Sequence, residues 1–171
     1  MSVFLQPIYT QTVGSTAVNT ITFNNIPQTF TDLFLKLSLR TDDAAVEAQF
    51  FMMLNGSSSN FTYTELYGTG SSTGTSRSVY SRIGSANGSQ ATSNSFSSHD
   101  VYISNYTGSN YKQIICDNVM ENNATFSVVK LNSLLWSSTS SITSLSIEAF
   151  GSQKFTQYST FSLYGVLRQG I

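Results

Sequence analysis

Leu33-Phe34-Leu35-Lys36-Leu37-Ser38-Leu39-Arg40 sets four leucines in alternation with residues of mixed character, and this period of two decides the fold class. Successive side chains of a strand point to opposite faces, so the leucines share one face and belong in a core. The next run repeats the device: Val46, Ala48, Phe50, Met52 and Leu54 alternate with Glu47, Gln49, Phe51 and Met53. It stops at Asn55-Gly56, a pair suited to the left-handed conformations of a tight hairpin turn. Asp42-Asp43 followed by Ala44, Ala45 and Ala48 would suit a helix start. The run from Phe50 to Leu54 would leave that helix apolar all round, and a strand is the expectation.

Working outward, Phe61 to Tyr67, Asp100 to Tyr106, Tyr111 to Val119, Thr125 to Leu131, Ile142 to Phe150 and Phe161 to Leu167 read as strands. Leu5 to Val13 and Asn19 to Phe23 are weaker candidates. Eight to ten short strands divided by turns such as Thr107-Gly108-Ser109-Asn110, with no sustained helical period, predict an all-β chain. The expected architecture is an antiparallel two-sheet β-sandwich, jelly-roll-like, forming a single domain over residues 1–171. One segment breaks the rhythm. Gly68 to Ser98 is almost wholly Gly, Ser, Thr, Ala and Asn, which predicts a long excursion or a hairpin of small-residue strands. Val79, Tyr80 and Ile83 are the expected anchors of such an arm on a neighbouring copy.

Ser and Thr make up 50 of the 171 residues, charged residues only 10%, and the chain has one His and one Cys. Acid-base and nucleophilic catalysis need groups that change charge near neutral pH, so this composition points away from an enzyme and towards a scaffold or binding protein. Net charge is −1 and the eight basic residues are scattered, which offers no footprint for a phosphate backbone, and no nucleic-acid partner is expected. No stretch approaches a membrane helix, and the start of the chain has no basic region ahead of an apolar segment, so neither a membrane nor a signal sequence is expected. Cys116 cannot close an internal disulfide and reads as a small buried hydrophobe.

Individual motifs are weak. Gly70-Ser71-Ser72-Thr73-Gly74 fits G-x-S-x-G, but the residues after Gly74 do not read as a helix, and Ser is everywhere in this chain. A hydrolase would need Ser72 and His99; Asp100 next to His99 points to the other face of a strand and cannot orient it. No metal or other cofactor is expected, because a zinc site wants four His or Cys ligands and Asp42-Asp43 suits a turn. Sequons at Asn55, Asn60, Asn87, Asn105 and Asn123 are at the frequency that chance gives in so Ser/Thr-rich a chain.

The large apolar groups on nominally outward faces carry more information. Phe34, Phe51, Met53, Tyr164 and Val166 lie opposite their strands' core-facing residues, and a soluble monomer rarely leaves such groups in water. With Val79, Tyr80 and Ile83 they form the expected oligomer or capsid contacts. Tyr63, Tyr67, Tyr80, Tyr102 and Tyr106 are available for stacking on a glycan.

The ending Gln157-Tyr158-Ser159-Thr160-Phe161-Ser162-Leu163-Tyr164-Gly165-Val166 resembles the close of small β-sandwich virion structural proteins of tailed bacteriophages. Leu54-Asn55-Gly56 followed by Tyr63, and Val101 to Tyr106 followed by Lys112, are similar to the same group. The resemblance implies a non-enzymatic virion protein without cofactor, made in the host cytoplasm and placed on the capsid surface. Its implied partners are itself, as a homotrimer, and the major capsid protein or another virion protein. A capsid decoration (cement) protein is the leading expectation, because a fibre has a long shaft ahead of its tip; the alternative is a head or tail fibre module that binds a host receptor or glycan.

Overall fold

The computed structural model describes residues 3–123 and 126–168. Thr125, where one strand is expected to begin, lies outside them. Twelve strands run in the order β1 (Val3–Thr12), β2 (Thr20–Phe23), β3 (Asp32–Leu39), β4 (Glu47–Leu54), β5 (Phe61–Gly68), β6 (Thr73–Ser78), β7 (Arg82–Asn87), β8 (Ser97–Ile103), β9 (Lys112–Met120), β10 (Val128–Trp136), β11 (Leu145–Ala149) and β12 (Thr160–Arg168). They form an eight-stranded sheet, β1-β12-β3-β8-β9-β10-β5-β6, and a four-stranded sheet, β2-β11-β4-β7, with every pairing antiparallel. The chain is an all-β sandwich, and among the described residues there is no helix.

Five of the pairings are nested: β5 with β6, β4 with β7, β3 with β8, β2 with β11, and β1 with β12. The strands are therefore a nested series of antiparallel pairs, with β9 and β10 added as a meander after β8. Apart from the β5–β6 hairpin and that meander, each connection crosses from one sheet to the other.

The alternating leucines behave as their period demands. Leu33, Leu35, Leu37 and Leu39 are all fully buried, facing Phe50, Met52 and Leu54 of β4 and Ile147 of β11 in the space between the sheets. Phe155 and Phe161 meet edge to face, with ring centroids 5.0 Å apart, and close one end of this core. Asn55 and Gly56 have φ of 52° and 73°, and Leu54 and Ser57 exchange both backbone hydrogen bonds around them.

The strand count exceeds the expected eight to ten because the Gly/Ser-rich stretch 68–98 is not an arm. It holds β6, at the edge of the large sheet on β5, and β7, at the edge of the small sheet on β4. Small residues are required there by close approach. A methyl group on Gly84 would stand 3.1 Å from His99 Nδ1 and 3.3 Å from the Asn118 carboxamide carbon. The turn 88–96 is pinned by Arg40, whose guanidinium donates to the carbonyls of Ser89, Ala91, Thr92 and Ser95. Ile83, expected as an anchor on another copy, is fully buried in this chain's own core.

Six of the seven described non-glycine residues with positive φ are asparagines: Asn25, Asn55, Asn60, Asn94, Asn105 and Asn123. Four of these begin sequons, so left-handed turns account for their presence better than chance does. The fifth sequon residue, Asn87, is fully buried.

Candidate assembly surface and aromatic groove

Residues that alternate with the core on the large sheet face outward, and several are apolar. Leu66 of β5, Leu131 and Val129 of β10, and Ile115 and Val119 of β9 expose between 45% and 59% of their surface. Strand register places them together. Leu66 stands opposite Leu131, and Val129 opposite Val119. Ile115 stands opposite Tyr102, Tyr102 opposite Phe34, and Phe34 opposite Tyr164. The Phe34 and Tyr164 rings lie 6.2 Å apart at a tilt of 43°. Two adjoining apolar groups thus cross the outer face from β5 to β12, with Asp117 between Ile115 and Val119 and the Lys36–Asp100 ion pair, 2.5 Å, alongside.

Of the residues expected at contacts, Phe34 and Tyr164 belong to this face, half-buried by one another. Val166 does not: it is 1% exposed and part of the protein interior. It stands opposite Asp32, whose carboxylate accepts hydrogen bonds from the Tyr102 hydroxyl and the Asn105 amide, so the turn after β8 closes the sheet at this end. Ile115, Val119, Val129, Leu131 and Leu66 are absent from the contacts expected on sequence grounds. Their signal lies in the doublets Ile114-Ile115 and Val128-Val129, where a strand is apolar on both faces.

Phe51 lies on the outer face of the small sheet and lines a groove of about 460 Å³ with Gln49, Ser58, Tyr80, Ser81, Glu148, Phe150 and their neighbours. Its ring lies 5.7 Å from that of Phe150 at 41°. Tyr80 and Phe150 are 62% and 54% exposed. Met53 is on the same face, opposite Ser146, outside the groove lining. Val79 is exposed in the crossing from β6 to β7, on neither surface. Of the other tyrosines considered for stacking, Tyr63 and Tyr106 are buried, Tyr102 is bound to Asp32, and Tyr67 is half-buried with its ring over Gly74.

The one imidazole and the one thiol are built into the packing. His99 is buried edge-on to Phe50, its Nε2 2.7 Å from Ser97 Oγ and its Nδ1 2.9 Å from the Asn118 amide. Burial, and then the Lys36 charge, lowers its pKa to about 3. Burial also pushes the Cys116 thiol well up. Ser72 lies in an exposed turn with its oxygen 2.9 Å from Thr69 Oγ1, and a strand, β6, comes after it rather than a helix. Gly70 has φ of 83° and Gly74 accommodates the Tyr67 ring, so both glycines of the G-x-S-x-G string have turn and packing roles.

Beyond the β7 edge the interior becomes polar. Arg82 bonds Glu65 at 2.7 Å, Lys130 bonds Glu47 at 2.8 Å and lies 3.7 Å from Glu65, and Ser85 Oγ donates to Glu47. Burial raises the Glu47 carboxyl, but the hydrogen bonds from Lys130 and Ser85 outweigh it and hold it below its ordinary value. Asn118 makes a two-way bond to the free edge of β7: its Oδ1 accepts from the Ser85 amide and its Nδ2 donates to the Ser85 carbonyl. Among the described residues no cluster of three His, Cys, Asp or Glu is placed to hold a metal ion, and no helix is long and apolar enough to cross a membrane. Searches of protein-family models, of curated proteins and of solved structures find nothing that matches this chain.

Proposed function

We propose that this chain is a bacteriophage virion structural protein, a capsid decoration (cement) protein that assembles as a homotrimer and bridges capsid subunits without catalysis. The observation that carries the reading is the apolar outer face of the large sheet. Five aliphatic side chains lie about half exposed in two adjoining groups, Leu66, Leu131, Val129 and Val119 in one and Ile115 with Tyr102, Phe34 and Tyr164 in the other. Faces of this kind belong in interfaces. Asp117 stands opposite Leu131 within the face and Arg77 lies on β6 beside it, so the face carries charges of both signs. Further copies of the chain are the proposed occupant of this face, each trimer contact pairing it with a different surface of the neighbouring copy.

The nested strand pairs support the jelly-roll reading, in which a rolled ribbon presents two broad faces. Exposed hydroxyls and amides are common on the remaining surface, and can contact neighbouring subunits without the desolvation cost of buried charges. Three weak contacts on one trimer then act together through effective concentration. The alternative reading, a head or tail fibre module, draws its support from the aromatic groove on the small sheet.

The test is addition of the purified protein to phage shells stripped of decoration. Saturable binding and a raised rupture temperature are expected on the capsid surface; absence of binding to any shell, with no shift in rupture, would overturn the reading.

A further inference from the structure

We propose that the groove on the outer face of the small sheet is a binding site for a neutral, pyranose-containing oligosaccharide. The inference does not rest on the assembly reading, because the groove and the apolar face lie on opposite sides of the sandwich. Its volume of about 460 Å³ falls in the range of small-ligand sites. Phe51, Phe150 and Tyr80 give it aromatic surface, and the latter two are more than half exposed. Polar groups accompany the rings. The Glu148 carboxylate and the Gln49 carboxamide make no side-chain hydrogen bond or ion pair among the described residues, and the Ser58 and Ser81 hydroxyls complete the lining.

The chemistry of that lining selects among ligand classes. A pyranose ring has an apolar face of C–H groups to lay on an aromatic ring, and hydroxyls around its rim for a carboxylate and an amide. A wholly apolar ligand would bury the Glu148 charge without a partner. A phosphate-bearing or otherwise acidic polymer would bring like charge against it, since Glu148 is the only charged residue in the lining. An added peptide strand needs a free sheet edge, and here β4 and β11 are interior strands with both edges paired.

The experiment is a printed glycan array probed with the full chain, then calorimetric titration with the best neutral oligosaccharide on it. Binding to at least one neutral hexose or N-acetylhexosamine oligomer is expected. Phe150→Ala or Tyr80→Ala should weaken it about tenfold or more, the loss of one stacking platform, and Glu148→Gln should weaken it severalfold. Both aromatic side chains are exposed, so their loss leaves the core intact, and an unchanged circular dichroism spectrum and oligomeric mass confirm this. Silence across all neutral glycans, binding confined to acidic ones, or binding indifferent to Phe150→Ala would each overturn the proposal. None of these outcomes bears on shell binding through the other sheet.

Discussion

At the scale of single residues, several of the few ionisable groups are tied into the packing, His99 and Glu47 among them. His99 is neutral in the folded chain because its site is dry and both ring nitrogens are bonded. The unfolded chain takes up a proton below about pH 6.5, whereas the folded ring resists until about pH 3. This contribution to stability is therefore intact above pH 6.5 and declines as the pH falls towards 3, by up to about 1.4 kcal/mol per unit. Glu47, whose carboxyl is depressed, loses stability in the same direction on acidification. The ring proton shifts of His99 separate the two: they are expected to keep neutral values down to about pH 4, and a midpoint near 6 would contradict the buried site. Gly165 is a second case. A methyl group there would overlap the Phe30 ring, so Gly165→Ala should cost about 1–3 kcal/mol in urea unfolding, and Phe30→Leu in the same chain should recover part of it.

At the scale of elements, the edge of β7 is the point most dependent on one side chain. Asn118→Ala leaves the Ser85 amide and carbonyl without their partners, at about 1–3 kcal/mol for each buried group left unsatisfied. Hydrogen exchange at the Ser85 amide should accelerate far more than at β3, whose amides are paired on both sides; equal protection in the variant would show that the edge needs no such plug. Alternating strands were legible in the sequence, β3 and then β4 above all, because burial on one side imposes period two. The weaker candidates β1 and β2 also form. For β6 and β7 the sequence left small-residue strands and a long excursion both open, because edge position and close approach of backbones call for Thr, Ser, Gly and Ala, the same composition as a loop. Outward residues obey the same logic. Phe34, Phe51, Met53 and Tyr164 alternate as expected, while Val166 is buried and Ile83 is packed into the core between the sheets. The aromatic groove joins Tyr80, Phe51 and Phe150 from three separate segments, and periodicity within one segment cannot reveal it.

At the scale of the whole molecule, the two faces of the sandwich differ, and each has a separate proposed use. The small sheet carries a groove lined by aromatic rings, whereas the large sheet carries half-exposed aliphatic side chains around a hollow of about 350 Å³ that Leu66, Val129, Leu131 and Asp117 help to line. The proposed assembly stands or falls on whether further copies of the chain cover this array. Sedimentation velocity at micromolar concentration decides it, by comparing the mass in solution of the wild-type chain with that of Val129→Lys/Leu131→Lys, with circular dichroism to confirm that both are folded. Both substituted side chains are about half exposed and outside the core, so the fold should tolerate them. A wild-type species of three times the 18.7 kDa chain mass and a monomeric variant are expected; a wild-type monomer, or a trimer untouched by the two lysines, would contradict the proposed assembly.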